Sequence, residues 1–522
     1  MFRNLLFTLF FGVLLGFFTL NAMSVSKMFD NDMVIQRNTK ASIWGRASVG
    51  EKITVKASWG EKAEAVADKY GTWLTQLKTP DAGGPYEIEI KGSKIIKLTN
   101  VLSGDLWVAS GQSNMEWRIT QTKYRKIEMP KTDYKTIRFI DLPNTIKTQE
   151  FSEVKGKWKK CEPNQIGDQS AVSYYFAREI TTKTGVPIGI IGANWGGTKI
   201  EPWIPPMGFD MIPELKVISE EVNKYLITKP EGKKKYLEYY QNLRVWAESS
   251  KKALETGAPL PEEPKEPSMK KYFQTPSYLF NGMIAPFKFM TIKGVIWYQG
   301  ESNGHEGISY FHKKKALIQG WRKVFNNPKM PFYFVQLTSF RKSPDSPEGG
   351  DGWANIREAQ RKSLEIPFTG MAVTVDIGDE RDIHPHNKYD VGVRLSKWAL
   401  AKDYGKDVVF TGPLPEKLTV KGDSLVVTFK KESVGSGLMM GSKKELDPVQ
   451  EVKDGKLNLF AIQDSKNVWH WADAKIEGET VVVSAEGVRG PKAVRYGFRM
   501  EVSSCNLYNK EGLPASPFHM SL

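Results

Sequence analysis

The chain has 522 residues, of which 40% are hydrophobic and 25% are charged, as in an ordinary globular protein of two to four domains. Its formal charge is +15, but the lysines are spread along the chain and no nucleic-acid-binding motif is present, so the charge indicates a basic surface rather than a nucleic-acid site. The two cysteines, Cys161 and Cys505, exclude a disulfide framework, and they either form one bridge or stay as buried small side chains.

The N-terminus has the pattern of a secretory signal peptide over residues 1–22. Arg3 supplies a positive charge, residues 5–18 are apolar, and Ala22 ends the segment with a small side chain. The alternative is a membrane anchor, but the apolar run is shorter than the roughly 20 residues that span a bilayer. The pattern predicts cleavage, a periplasmic or secreted protein, and no transmembrane segment in the mature chain.

Residues 23–102 have the pattern of an N-terminal β-sandwich. Short alternating segments, such as residues 42–44 and 52–56, are separated by turn signals at Gly50 and at residues 82–85.

Residues 103–405 predict an α/β domain built on a parallel sheet. Residues 106–109 form a continuous apolar run, which is typical of a strand buried on both faces. Further strand patterns alternate with helical patterns, as in a parallel sheet with crossover helices. The predicted strands cover residues 137–140, 188–191, 294–297, 332–336 and 371–375, and the predicted helices cover residues 170–184, 310–325 and 354–364.

Two segments depart from this alternation. Residues 208–272 are rich in Lys, Glu and Tyr and end in a Pro-rich stretch, which predicts an inserted helical hairpin followed by a loop. This insertion is either a lid over the site or a surface feature. Residues 406–522 return to alternating patterns, for example at 425–429 and 480–483, and predict a C-terminal β module.

The strongest chemical feature is the segment A-S-G-Q-S-N-M at residues 109–115, directly after the first buried strand. A serine in a tight turn at the carboxyl end of a parallel strand lies where open α/β folds bind their ligands. Gly111 permits such a turn. Ser113 is therefore a candidate nucleophile, with a helix N-cap as the alternative role.

A second feature, D-I-H-P-H at residues 382–386, follows the last predicted strand of the sheet. A nucleophilic serine needs a base within hydrogen-bond reach, and the base needs an orienting acid. Asp382 and His384 supply both types in one loop. The alternatives are a surface pair of histidines or a metal site at His384 and His386, but the other histidines show no metal-ligand spacing, so no metal is predicted.

Two more strand-end loops are rich in glycine, amides and aromatic residues. The segment G-A-N-W-G-G-T at residues 192–198 brings backbone N–H groups close to a ligand, and such donors stabilise an oxyanion by roughly 3 kcal/mol each. A phosphate-binding loop is the competing interpretation, but the G-x-x-x-x-G-K-[ST] pattern is absent. The segment W-Y-Q-G-E-S-N at residues 297–303 suits a carbohydrate pocket, or else is a polar strand-end turn.

These four loops, in this order, resemble those of the SGNH hydrolases, and their details resemble the sialate O-acetylesterase branch. Similar motifs occur at residues 33–37, 200–203, 276–283 and 506–514, so the resemblance covers nearly the whole mature chain. It implies an SGNH-type three-layer α/β/α domain with a parallel sheet, flanked by N- and C-terminal β modules. It also implies an esterase that requires no metal or organic cofactor.

The resemblance assigns roles to residues at matching positions. It implies that Ser113 is the nucleophile and His384 the base. The implied oxyanion donors are the Ser113 N–H, a backbone N–H of Gly196 or Gly197, and a side-chain amide of Gln299 or Asn303.

The acid departs from the family pattern. Many SGNH enzymes carry it three residues before the histidine, and this chain has Arg381 there. We expect Asp382 to be the acid, with Asp379 or a dyad assisted by a backbone carbonyl as alternatives.

The implied reaction releases acetate from an O-acetylated sialic acid by acyl transfer through the serine. Acetylxylan or another hemicellulose is the competing substrate, and Trp195, Glu201, Tyr298 and Asn303 are expected to line the sugar site. Two rival functions stay open. The β modules and 15 tryptophans would also suit a non-catalytic carbohydrate-binding protein, and an SGNH lipase or thioesterase would prefer longer acyl chains.

Overall fold

A computed structural model describes residues 23–270 and 272–522 of the chain. The predicted signal peptide lies outside the described residues. Within them, no helix combines the length and the apolar character that a membrane span requires.

The N-terminal segment is all β, as predicted. Its strands alternate between buried and exposed positions, so that in Thr72–Lys78 the side chains of Trp73, Thr75 and Leu77 face inward. The strands are β1 Ser24–Val25, β2 Val34–Gln36, β3 Lys40–Arg46, β4 Lys52–Ala57, β5 Lys62–Val66, β6 Thr72–Lys78 and β7 Gly83–Lys91. Strands β1, β3 and β6 form one antiparallel sheet. The other four belong to the sheet of the next strand along the chain, with which β2 and β7 pair directly.

That next strand, β8 Ile95–Gly111, runs through both the N-terminal segment and the central sheet. Its first part pairs antiparallel with β7, whereas its end pairs with strands of the α/β domain. The strand predicted at residues 106–109 is confirmed, but it is the buried end of a longer strand. Side chains alternate up to Asn100 and are all buried from Val101 onward, so the change of pattern marks a change of surroundings within one strand.

The central sheet has the order β10-β9-β11-β8-β12-β13-β14 and is parallel apart from β10, so it is mixed. The chain moves from β8 to one side and then to the other, which makes β8 the switch point of the topology. Ligands of open α/β sheets bind outside the carboxyl ends of the strands at such a point. The strands are β9 Tyr134–Asp141, β10 Lys159–Cys161, β11 Ile188–Asn194, β12 Gly294–Tyr298, β13 Phe332–Val335 and β14 Thr369–Ala372.

Helices connect these strands, and the three predicted helices are confirmed. The Ser170 hydroxyl accepts a hydrogen bond from the Ser173 N–H at 3.2 Å and caps one of them. The helices of this region are α1 Ser113–Glu116, α2 Arg125–Glu128, α3 Ala171–Thr184, α4 Pro206–Asp210, α5 Lys216–Asn223, α6 Pro230–Thr256, α7 Ser309–Val324, α8 Ala354–Lys362 and α9 Lys388–Lys402. In the predicted insertion, α5 and α6 are followed by an irregular Pro-rich segment, as expected.

The C-terminal segment forms three antiparallel sheets, with orders β15-β16-β22-β21, β18-β17-β24 and β20-β19-β23-β25. It docks on α8 through Arg357, whose fully buried guanidinium donates to the carbonyls of Arg499 and Met500. Cys161 and Cys505 are both free and buried. The elements are β15 Pro415–Lys421, β16 Ser424–Phe429, α10 Lys431–Val434, β17 Leu438–Ser442, β18 Gln450–Glu451, β19 Phe460–Gln463, β20 Trp469–Trp471, β21 Asp473–Glu477, β22 Thr480–Ser484, β23 Ala493–Tyr496, β24 Leu507–Asn509 and β25 Phe518–Ser521.

Candidate active site

Four loops meet at the carboxyl edge of the sheet, after β8, β11, β12 and β14. The end of β8 lies so close to β12 that a Cβ on Gly111 would be 2.1 Å from the Tyr298 carbonyl oxygen, and Gly111 has φ of +137°. Only glycine fits this contact and this backbone conformation. The sequence therefore places the serine loop tightly against the loop that follows β12.

Ser113 and His384 meet in this structure although 271 positions separate them. The Ser113 Oγ lies 3.0 Å from the His384 Nε2, which is within the range for a nucleophile and its base. The imidazole also stacks on the Trp117 ring, with centroids 4.7 Å apart and planes 25° from parallel. Both side chains are half-buried, so the pair is held in place and open to a substrate.

Asp382, and not Asp379, lies beside the base. Its Oδ1 is 3.4 Å from the His384 Nδ1 and accepts the His384 backbone N–H at 2.8 Å, while its Oδ2 is 3.0 Å from the His386 Nε2. Partial burial acts to raise the pKa of Asp382, but the hydrogen bonds from both histidines hold this pKa below its usual value. Asp379 instead accepts the Arg381 N–H at 2.8 Å.

A buried polar chain that the sequence analysis missed lies behind the pair. The Asn114 amide donates to the Ile383 carbonyl at 3.1 Å and to the Glu301 carboxylate, and its oxygen accepts from the Lys388 ammonium. Asn114 therefore ties the serine loop to the loop of the base. Burial raises the pKa of Glu301 and lowers the pKa of Lys388 to about 7. The available signal was that Lys388 follows His384 by four residues.

Charges around His384 act on its pKa from several elements. Burial lowers this pKa, and the ammonium of Lys388 on α9 lowers it further, as does His386. Asp382 in the same loop acts in the opposite sense. The net effect is a pKa below the usual value of 6.5, so the imidazole is neutral, and able to accept a proton, at neutral pH.

We expect kcat/KM to rise with pH along an acidic limb that lies below pH 6.5, because a general base must be unprotonated. Lys388→Met removes a cation near the imidazole. The pKa of His384 should then increase, and the limb should move to higher pH. The measurement is kcat/KM for a chromogenic acetyl ester across the acidic and neutral range.

The control for this shift is Lys402→Met, which changes a lysine at the far end of the same helix. Its limb should coincide with that of the wild type. An unmoved limb in an active Lys388→Met enzyme would contradict the electrostatic effect of Lys388 on His384.

Gly196 lies against the nucleophile, as the resemblance implied. A Cβ on Gly196 would be 3.3 Å from the Ser113 Cβ, whereas a Cβ on Gly197 would meet no atom within 4 Å. The Gly196 N–H, however, donates to the Glu116 Oε2 at 2.7 Å. Ser113 is the first residue of α1, so its own N–H has no partner within the helix. Two of the expected oxyanion donors are therefore next to the serine, and one of them is occupied.

The third expected donor is not found at the site. Gln299 is fully buried, and its amide donates to the Thr198 carbonyl at 3.1 Å and to the Asn303 Oδ1 at 2.7 Å. The Asn303 amide donates to Glu201 at 3.0 Å and to Glu306 at 2.9 Å. Neither amide is free for an oxyanion, because acceptors from neighbouring loops surround both of them below the surface.

The expected sugar contacts need a similar correction. Tyr298 is fully buried. Glu201 is only 8% exposed and pairs with the Lys313 ammonium at 2.6 Å. With Asn303 these residues form the floor beneath the site, out of reach of a substrate. Trp195 is half-buried and stacks on Phe273, with ring centroids 5.5 Å apart, so it alone of the four predicted residues is partly exposed to solvent.

A cavity of about 370 Å³ adjoins the serine loop on the side of β9 and β11. Arg118 in its wall pairs with Asp168 at 3.4 Å. Asp141, at the end of β9, is solvent-exposed and lines the cavity. Carboxylates, amides and cations of this kind can form hydrogen bonds with the hydroxyl groups of a sugar. The polar lining includes Glu116, Arg118, Asp141, Lys159, Asp168 and Asn194.

Comparisons with known proteins identify a family of carbohydrate esterases. Residues 103–247 and 267–404, more than half of the chain, match the family described as carbohydrate esterase, sialic acid-specific acetylesterase. Sialate O-acetylesterases of Rattus norvegicus and Homo sapiens are each 29% identical over 94% of this chain and over 92% and 91% of their own lengths. The crystal structure of a carbohydrate acetylesterase from Xanthomonas citri is 31% identical, with a TM-score of 0.78, and covers 96% of this chain and 100% of that one.

The two matched ranges are separated by residues 248–266. These residues lie within the predicted insertion and include the last part of α6. On the extent of this match and the identity to the Xanthomonas citri enzyme, the chain belongs to the sialate O-acetylesterase family of carbohydrate esterases and is a serine ester hydrolase.

Proposed function

We propose that this enzyme removes O-acetyl groups from carbohydrates through Ser113, His384 and Asp382, and that acetylated sialic acid is its substrate. The observation that carries the proposal is the 3.0 Å contact between Ser113 Oγ and His384 Nε2 at the switch point of the sheet. The family description and the names of the rat and human relatives support the choice of sugar.

The proposed reaction has two steps. His384 takes the proton of Ser113 as the serine oxygen attacks the acetyl carbonyl, and the oxyanion is stabilised by the N–H groups of Ser113 and Gly196. His384 then protonates the departing sugar oxygen. In the second step the same imidazole activates water, which hydrolyses the acetyl-enzyme and releases acetate.

Asp382→Asn is expected to lower kcat/KM roughly 10- to 100-fold, which is less than the ~10⁴-fold loss seen when a closely bonded triad acid is replaced. The reason is that Asp382 lies 3.4 Å from the His384 Nδ1 and is shared with His386. Steady-state kinetics on a chromogenic acetyl ester measure the loss. Asp379→Asn is the matched control and should keep wild-type activity, and an unaffected Asp382→Asn enzyme would remove Asp382 from the mechanism.

One observation favours a second substrate class, the acetyl esters of neutral hemicelluloses. The cavity that adjoins the serine loop at Glu116 carries three carboxylates, Glu116, Asp141 and Asp168, against two cations, Arg118 and Lys159. This balance offers an anionic sugar no net attraction.

The test is acetate release from O-acetylated sialoglycan and from acetylxylan, side by side. Faster release from the sialoglycan supports the sialate assignment, and faster release from acetylxylan replaces it with the hemicellulose one. A protein inert on both would contradict an acetylesterase function and favour carbohydrate binding without catalysis.

We further propose that the hydrolase domain has the SGNH three-layer arrangement and that the protein is exported. The apolar segment at residues 5–18 supports export. Its test is the N-terminal sequence of the protein recovered from its native host. A mature chain that begins after Ala22 agrees with export, and an intact Met1 contradicts it.

A further inference from the structure

The carboxylate of Glu116 occupies a backbone N–H that the proposed mechanism assigns to the oxyanion. Its Oε2 accepts the Gly196 N–H at 2.7 Å. A Cβ on Gly196 would lie 3.0 Å from this oxygen and 3.3 Å from the Ser113 Cβ, so the carboxylate is next to the nucleophile. An oxyanion cannot share the N–H with a charged carboxylate, because two negative charges a few ångströms apart repel each other.

Loss of one oxyanion donor typically costs about 10²–10³ in kcat. In the proposed reaction, Gly196 can donate to the oxyanion only when Glu116 has released its N–H. Glu116 is half-exposed, lies at the end of the short helix α1, and lines the cavity of about 370 Å³ together with Asn194 and Arg118. A rotation about its side-chain bonds would carry the carboxylate from Gly196 into this cavity.

A sugar bound in the cavity supplies a reason for the release. Hydroxyl groups are good donors to a carboxylate, and such charge-assisted hydrogen bonds are stronger than neutral ones. Arg118, the nearest cation along the chain, already pairs with Asp168 at 3.4 Å. A hydroxyl beside the acetylated position of the sugar would therefore be a suitable new partner for Glu116.

We propose that Glu116 couples sugar recognition to the oxyanion hole: a free hydroxyl next to the ester draws its carboxylate off Gly196 and so frees the N–H for the reaction. The ligand class is an acetylated sugar with an adjacent free hydroxyl. The inference rests on the proposed function. A simple acetyl ester has no such hydroxyl and meets a blocked hole, so Glu116 is a specificity-determining residue.

A purely structural role for Glu116 predicts a different result. If the carboxylate only held the loop at residues 194–198 in place, its loss would slow all acetyl esters alike. The ratio of kcat/KM for a sugar acetate to kcat/KM for an aryl acetate separates the two roles, because a structural defect cancels in this ratio.

The experiment compares the full-length enzyme with Glu116→Gln, which keeps the shape but removes the charge, and with Glu116→Ala. The substrates are 4-nitrophenyl acetate and a monoacetylated methyl glycoside with a free hydroxyl beside the ester. In both variants kcat/KM should rise for the aryl acetate and fall for the sugar, so that the ratio drops at least about tenfold, within the range of one oxyanion donor.

The matched control is Glu51→Gln. Glu51 also accepts backbone N–H groups, from Ser93 at 2.6 Å and Ser48 at 3.1 Å, but it lies directly before β4 in the N-terminal segment. Its ratio should equal that of the wild type. An unchanged ratio in active Glu116 variants overturns this inference alone, whereas a wild-type protein inert on both substrates contradicts the proposed function and the inference with it.

Discussion

Ser113→Ala and His384→Ala are each expected to lower kcat/KM for an acetyl ester by at least about 10⁴-fold. The first variant lacks the nucleophile, and the second lacks the base 3.0 Å away that activates it. When two residues act as one unit, removing either of them abolishes nearly all of their joint rate enhancement. The double variant should therefore be scarcely slower than the single variants. Initial rates on a chromogenic acetyl ester measure all three.

Ser110→Ala is the control for this result. Ser110 belongs to the same motif, but its hydroxyl is buried in β8 and has no hydrogen-bond partner among the described residues. The variant should keep wild-type activity. A Ser113→Ala enzyme with more than about one hundredth of the wild-type rate would contradict a serine mechanism at this position.

Arg394→Met should have the largest effect on stability. Arg394 on α9 makes two hydrogen bonds to Asp376, of 2.6 and 2.7 Å, and the two side chains are only 6% and 2% exposed. Its loss leaves a buried carboxylate unpaired, which costs about 3–5 kcal/mol. Asp376 lies in the turn that leads to the His384 loop, so activity should be lost at lower denaturant concentration as well.

Urea unfolding followed by tryptophan fluorescence measures this change as a lower transition midpoint. Arg361→Met is the matched control, because Arg361 pairs with Glu358 on α8 while both side chains are more than 20% exposed. Exposed pairs contribute about 0–1 kcal/mol. Equal midpoints for the two variants would contradict the assignment of Arg394 as an anchor of the base loop.

Much of the fold could be predicted because local patterns decide it. The apolar runs at residues 188–191 and 294–297 are strands buried on both faces, and the helical spacing at residues 170–184 corresponds to α3 with its Ser170 cap. The full length of β8 could not be predicted. Burial of one face or of two faces changes the pattern of a strand without ending it, and β8 passes through that change.

The candidate site was predictable where a residue type and its loop determine its position. Ser113 and His384 follow β8 and β14, and parallel strands bring those loops to one edge. The direction of an amide is different, because it depends on which acceptors lie nearby in three dimensions. An amide of Gln299 or Asn303 was expected to donate to the oxyanion, but these amides donate to Thr198, Glu201 and Glu306.

The role of Glu116 could not be predicted for the same reason. Glu116 follows the nucleophile by three residues, and a single charged side chain there forms no recognisable motif. Only the fold brings the Gly196 N–H of another loop within 2.7 Å of its carboxylate. The contact of Lys388 with the serine loop could not be predicted either, because 274 positions separate Lys388 from its acceptor Asn114. Contacts between loops, rather than motifs, therefore define the electrostatics of this site.

Covalent labelling with a fluorophosphonate, followed by mass spectrometry of the peptides, tests the serine mechanism directly. A serine activated by His384 should give one adduct, on Ser113, which forms quickly in the wild type and much more slowly in His384→Ala. An adduct on another residue, or labelling of Ser113 at an unchanged rate without His384, would contradict the activation of Ser113 by His384.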